Sequence, residues 1–122
     1  MKFKLIIALL DDSKTESIIK AARSVGAMGA TIINNARGEG RDAPITFFGL
    51  TLETQRDVVL FLVKESLSRH VLESISEVGE FSKIPGSGIA IQVAVEDTVG
   101  LEYQIEELMQ QTEKESPPVS ER

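Results

Sequence analysis

The run Phe3-Lys4-Leu5-Ile6-Ile7-Ala8-Leu9-Leu10, closed by Asp11 and Asp12, decides how the rest of the chain is read. It is too short to span a membrane and has the make-up of a β-strand. Both of its alternating sets are apolar: Leu5, Ile7 and Leu9 on one side, Ile6, Ala8 and Leu10 on the other. Side chains of a strand point alternately to the two faces of its sheet, so this strand is expected to be covered on both. Val58-Val59-Leu60-Phe61-Leu62-Val63 has the same character and is the strongest strand of the sequence. A sheet centred on two such strands needs two covers.

Between and beyond these strands the period changes. Ser13 and Glu16 have capping-box spacing, and Ile18, Ile19, Ala22 and Val25 follow at helical intervals. Gly26 is the left-handed residue expected to end that helix. Ala30-Thr31-Ile32-Ile33 restarts a β pattern, to about Ala36. A second helix uses Leu67, Val71, Leu72, Ile75 and Val78, with Gly79 as its stop. Glu80 to Gly88 is a glycine–proline loop, and Ile89 to Val95 a fourth strand. Leu101, Ile105, Leu108 and Met109 predict a short amphipathic helix, and Thr112 to Arg122 a mobile tail.

The order β-α-β-β-α-β is the split βαβ plan: an α+β, ferredoxin-like (βαββαβ) sandwich with an additional C-terminal helix. The domain runs over 1–111 and the tail over 112–122. Right-handed crossovers put both long helices on one face of the sheet. The other face is expected to pack against further subunits of a homo-oligomer; cover by the C-terminal helix alone is the alternative.

Composition narrows the function. The 122 residues hold 13 basic and 19 acidic side chains, a formal net charge of −6. That balance argues against a general binder of nucleic acid or anionic membrane. Residues 102–122 carry six acids and two bases, so the body of the chain is nearly neutral. There is no cysteine, which excludes disulfides and thiol nucleophiles, and a single histidine, His70, which excludes a multi-histidine metal site within one chain. The apolar start is too short and too soon acidic for a secretory signal, so a soluble cytoplasmic protein without membrane insertion is expected.

Two glycine-rich loops lie at strand ends. In Arg37-Gly38-Glu39-Gly40-Arg41 the glycines let backbone N–H groups approach a ligand, and the arginines can pair with phosphate or carboxylate; the same residues also read as a plain turn leaving a strand. In Lys83-Ile84-Pro85-Gly86-Ser87-Gly88 a lysine and a hydroxyl accompany the glycines, and a simple helix-to-strand connection is the other reading.

With Val25-Gly26-Ala27-Met28-Gly29-Ala30-Thr31, Gly38-Glu39-Gly40-Arg41 and Gly86-Ser87-Gly88 in that order, the chain resembles PII-type nitrogen-regulatory signalling proteins and their wider PII-like superfamily. The similarity runs from Lys2 to about Leu101. It implies a homotrimer that binds adenine nucleotides (AMP, ADP or ATP) as effectors in clefts between subunits, with no tightly bound cofactor. It places Thr31 near the adenine, Gly38, Gly40 and Arg41 at the base of a target-docking loop, and Gly86, Ser87 and Gly88 against the phosphates. The chain departs from the family pattern at Ile89, where a lysine would follow the glycines, and at Val99-Gly100-Leu101, where two arginines would stand. Loss of three cations weakens the case for tight ATP binding; Lys83 or Arg41 is the expected compensation.

The segment Arg37–Gln55 lacks either period over 19 residues, longer than an ordinary connection, which points to function. It has no tyrosine to be uridylylated. Ile45, Phe47, Phe48 and Leu50 give it an apolar prong for a partner protein, a transporter or metabolic enzyme; an extra strand over Ile45–Leu50 is the alternative. His70 among Ser68, Arg69 and Glu73 reads as a surface residue. Asp11 and Asp12 read as the end of a strand and the start of a helix, and Glu102, Glu106 and Glu107 as a solvated helix face. No nucleophile–base pair or metal-ligand set is suggested. The expectation is a non-enzymatic ligand sensor, with a CutA-like structural or metal-handling trimer and a small enzyme on the same scaffold as alternatives.

Overall fold

The computed structural model describes residues 2–36, 46–47, 50–51 and 56–101. The expected C-terminal helix, the 112–122 tail, and Ile45 and Phe48 lie outside the described residues. Strand β1 (Phe3–Asp11) is followed by a 3-10 turn (Asp12–Lys14), helix α1 (Thr15–Ser24) and β2 (Ala30–Ala36). Two short strands, β3 (Thr46–Phe47) and β4 (Leu50–Thr51), pair as an antiparallel hairpin with Phe47 opposite Leu50. Of the expected strand over Ile45–Leu50, the described residues show Thr46–Phe47 and Leu50 as parts of this hairpin. Then come β5 (Arg56–Lys64), α2 (Glu65–Gly79) and β6 (Gly88–Ala94).

The main sheet has the order β2-β5-β1-β6 with every neighbour antiparallel, the split βαβ arrangement of an α+β sandwich. β1 and β5 occupy its centre, in a register that sets Ile6 opposite Phe61 and Ala8 opposite Val59. These residues share one face, and both helices pack on it. Ile18, Ile19 and Ala22 of α1 and Val71 and Ile75 of α2 join Ile6, Ala8, Leu10, Val59, Phe61 and Val63 in one buried cluster. Phe61, Ile6, Leu10, Ile18, Ile75, Val59, Val63 and Val71 are fully buried. Burial of each stabilises the fold by about 1.5–3 kcal/mol before entropy is counted.

The opposite face is apolar too. The register aligns Ile33, Val58, Leu9 and Ile89 across the four strands, then Thr31, Leu60, Ile7 and Ile91, then Leu62, Leu5 and Val93. Ile33, Ile91 and Val93 are 49%, 38% and 41% exposed. In β6 the branched residues Ile89, Ile91 and Val93 lie on this face, while Gly88, Ala90, Gln92 and Ala94 lie on the helix side. β6 thus turns its larger apolar side chains away from the helices.

Both helix boundaries differ in detail from the sequence expectation. Ser13 and Glu16 do not form a capping box. Asp11 Oδ1 instead accepts from the Ser13 backbone N–H at 2.9 Å and from the Ser13 hydroxyl at 2.8 Å, folding 12–14 into the 3-10 turn. α1 starts only at Thr15, with Lys14 at its N-cap and no side-chain cap. Thr15 is buried, and its hydroxyl donates to the buried Asp57 carboxylate at 2.6 Å, fastening the start of α1 to β5. At the other end α1 closes at Ser24 with Val25 as its C-cap, and Gly26 takes the positive φ expected there, +113°.

α2 runs through Gly79, and Glu80 takes the left-handed position at φ 58°. The Phe81 N–H donates to Ser76 O at 3.0 Å and the Glu80 N–H to Glu77 O at 3.2 Å, the pair of bonds of a Schellman ending. Gly79 is needed for space: a Cβ there would overlap the Phe81 ring. In β2 the pairing slips between Ile33 and Ala36, and Asn35 adopts φ 60°, a bulge just before residue 37.

The turn between β1 and α1 can be tested at two positions. Thr15→Val leaves the buried Asp57 carboxylate without its donor and should cost about 1–3 kcal/mol, read as a lower urea midpoint; an unchanged midpoint would show that the bond carries no stability. Asp11 is held below its ordinary value of 3.8 by the Ser13 backbone and hydroxyl hydrogen bonds, and further by the Arg56 charge, against a smaller opposing effect of burial. A lowered carboxylate contributes stability that is fully present above the unfolded value and is lost as pH falls through the folded one. Asp11→Asn should therefore flatten the stability profile below about pH 3.8, in a series of denaturation curves, and leave its shape at neutral pH unchanged.

Candidate functional site

The glycine loop after α2 is an ordered turn. Its hub is the Glu80 carbonyl, which accepts from the Lys83 N–H at 3.1 Å, the Ile84 N–H at 3.0 Å and the Ser87 hydroxyl at 3.1 Å. The Ser87 N–H donates to Ile84 O at 3.1 Å. Both donors of Ser87 are thus engaged inside the turn, and Ser87 braces the loop in this conformation. Gly86 has φ +76° and open space where a Cβ would project. Gly88 begins β6 opposite Leu10, on the helix side of the sheet, and a Cβ there would overlap the Phe81 ring. Phe81 is accordingly lodged between Gly79 and Gly88, a packing reason for a glycine that sequence alone assigns to phosphate.

The turn faces the end of the sheet where the long segment leaves and returns. Ala36 pairs with Arg56, and Arg56 pairs with Asp11 on β1. A recess of about 250 Å³ lies here, lined by Asp11, Lys14 and Arg56 on one side and by Ile84, Gly86 and Ser87 on the other. The Asp11 carboxylate is held by Ser13 and faces the Arg56 charge. Among the described residues two cations and one carboxylate line the recess, a net positive balance. Sequence reasoning missed Lys14 and Arg56, because only the β1–β5 register and the 3-10 turn bring them to this loop.

Lys83 goes elsewhere. It lines a larger groove, of about 520 Å³, between α2 and the start of β6, floored by Leu72 and Phe81 and edged by Glu73, Glu77 and Glu80. Arg69 also lines this groove and is bridged to Glu73 at 3.0 Å. Three carboxylates against two cations make it net negative. Lys83 and Gly86, three residues apart in sequence, thus stand in electrostatically opposite places.

Thr31 lies exposed on β2, paired with Leu60, at the sheet edge opposite β6. Three strand spacings of about 4.8 Å separate those edges, roughly 14 Å. Within one chain Thr31 and the Gly86 turn therefore stand on opposite edges of the sheet. Gly38, Gly40 and Arg41 lie outside the described residues. His70 is exposed on α2, as its neighbours suggested. Among the described residues no three His, Asp or Glu side chains gather as metal ligands, and no helix is long and apolar enough to cross a membrane.

Comparison with known proteins agrees with this layout. The crystal structure of a PII-like signalling protein from Thermus thermophilus superposes with a TM-score of 0.58 at 23% identity, over 78% of this chain and 88% of that one. At that identity the likeness concerns the fold. No curated protein sequence matches the chain. The family model of the nitrogen regulatory protein P-II matches residues 3–104, from the first residue of β1 to beyond β6, and so takes in the sheet, both helices, the segment between β2 and β5 and the glycine turn. The chain belongs to the P-II family of signalling proteins.

Proposed function

We propose that this protein is a non-enzymatic, trimeric cytoplasmic regulator that senses an adenine nucleotide in clefts between subunits and acts on a partner protein through residues 37–55. The observation that carries this reading is the position of the positively charged recess. The glycine turn, Lys14 and Arg56 meet where the 37–55 segment is pinned by the Ala36–Arg56 pairing. An anion seated there touches the base of the segment directly. Its binding energy then favours those arrangements of 37–55 that leave the recess formed, which is coupling by population shift. Gly38, Gly40 and Arg41 immediately follow β2 and complete the proposed site, with Gly86, Ser87 and Gly88 on the phosphate side and Thr31 of a neighbouring subunit toward the adenine. Ile45, Phe47, Phe48 and Leu50 are the proposed contacts for the target, a transporter or metabolic enzyme.

The apolar face that no described element covers supports the trimer. Ile33, Ile91 and Val93 are large, apolar and more than a third exposed, and they continue the rows of Leu5, Ile7, Leu60 and Leu62. Burial of such a face between copies is the usual fate of a contiguous apolar patch. β2 and β6 also form the two edges of the sheet within one chain. The metal-handling alternative finds no support among the described residues.

Two measurements test the reading. Isothermal titration of the purified protein with AMP, ADP, ATP and cyclic nucleotides should show saturable binding of at least one; a folded trimer that binds none of them would end the adenylate-sensor proposal. Ile91→Glu places a charge in the middle of the apolar face and should convert the trimer to smaller species in light scattering, since an unpaired buried charge costs several kcal/mol. A trimer unaffected by that substitution would show that the face is not the subunit interface.

A further inference from the structure

We infer that Lys14, on the turn between β1 and α1, is the cation that the glycine loop uses for an anionic ligand, in place of the lysine absent at Ile89 and in preference to Lys83. The inference rests on the reading of the 84–88 turn as an anion-binding loop and assigns the charge that makes it work.

The two lysines sit in unlike surroundings. Lys83 is adjacent to the loop in sequence, but its groove is edged by Glu73, Glu77 and Glu80. An anion brought there meets more negative than positive charge. Lys14 is distant in sequence and shares the recess with Gly86, Ser87 and Arg56. The recess also contains the Asp11 carboxylate, which is a repulsive contact for an anion. That carboxylate is already occupied by two hydrogen bonds from Ser13 and faces Arg56. Among the described residues Lys14 makes no ion pair.

The backbone at Lys14 is also set in advance. The Asp11–Ser13 bonds fold the 3-10 turn, and Thr15 is fixed to Asp57 by a buried hydrogen bond, so Lys14 is held between two anchored residues. An ammonium on a fixed backbone loses less freedom on engaging an anion than one on a loose loop. The size of the recess limits what enters it. About 250 Å³ falls below the usual 300–1,000 Å³ of a site for a whole drug-sized ligand, and suits one phosphate or carboxylate group. Lys14 is therefore assigned to a terminal anionic group of the ligand, with the remainder lying outside the recess.

The test is titration of ATP and of inorganic pyrophosphate into the wild type and the variants Lys14→Ala, Lys14→Arg and Lys83→Ala, with melting curves to confirm folding. Lys14→Ala should weaken whichever probe binds by roughly tenfold or more, the effect of a lost charge-assisted hydrogen bond, with Lys14→Arg restoring most of it. Lys83→Ala should change affinity by less than about twofold, as for an exposed charge outside the site. Equal affinity for Lys14→Ala and wild type, or a larger loss for Lys83→Ala, overturns the inference while leaving nucleotide sensing intact. Pyrophosphate binding that depends on Lys14, without any binding of ATP, keeps the anion site and removes the nucleotide. Binding of neither probe by the folded wild type defeats both the inference and the reading beneath it.

Discussion

The central pairing of β1 with β5 is the constraint from which the rest of the molecule follows. Each strand is apolar on both of its faces, so neither face of the pair can be left against water without a penalty. At about 25 cal/mol per Å² of apolar surface, an aliphatic side chain left in solvent forgoes roughly 1.5–3 kcal/mol. The helices cover the face of Ile6, Ala8, Val59 and Phe61. The face of Leu5, Ile7, Leu60 and Leu62 is extended by Ile33 on one edge and by Ile91 and Val93 on the other. β6 is the telling element, because a strand serving one helix-covered core would alternate the other way, with its branched residues toward the helices. Its small and polar residues lie there instead. Among the described residues the helix-free face thus carries the larger apolar side chains of β6.

Much of this was legible in the sequence, for a physical reason. Strand, helix and strand order are local properties, set by periods of 2 and 3.6 residues that Phe3–Leu10, Val58–Val63 and the Leu67–Val78 stripe display directly. The need for a second cover was legible too, because it is written in the alternation of single strands. Details at the helix ends were less so. Ser13 and Glu16 have capping-box spacing, but Asp11 lies two residues before Ser13 and captures both of its donors first. Gly79 looks like a left-handed stop, but the position that needs φ above zero falls one residue later, on Glu80, and Gly79 makes room for Phe81. Local spacing names the candidates; tertiary neighbours choose among them.

The candidate site was legible as a loop and illegible as a set of charges. Gly86, Ser87 and Gly88 stand out by composition. Lys14 and Arg56 do not, since one is an ordinary lysine before a helix and the other the first residue of a strand. Only the antiparallel register, which sets Arg56 opposite Asp11, and the 3-10 turn that follows Asp11 bring them to the recess. Lys83 shows the converse. It stands beside the glycines in sequence, and in the fold it lines the groove beside α2 together with Glu73, Glu77 and Glu80.

The same register places the recess at the foot of the 37–55 segment. Ala36, Arg56 and Asp11 form one cross-strand row at the end of the sheet, and that row is both the foot of the segment and the wall of the recess. Asp11 ties the row to the turn that carries Lys14; Thr15 and Asp57 tie the turn to β5, one residue beyond the row. On the proposed function, a group bound between Lys14 and the glycine turn would lie between two hydrogen-bonded turns. The Asn35 bulge lies on the other side of the foot, where the strand pairing has already slipped and the backbone is in a left-handed conformation. The hydrogen-bonded side of the base carries the recess, and the irregular side leads into residues 37–55. On the proposed function, a ligand would have to bind one arrangement of 37–55 more tightly than another by about 5.5 kcal/mol to move it from 1:99 to 99:1.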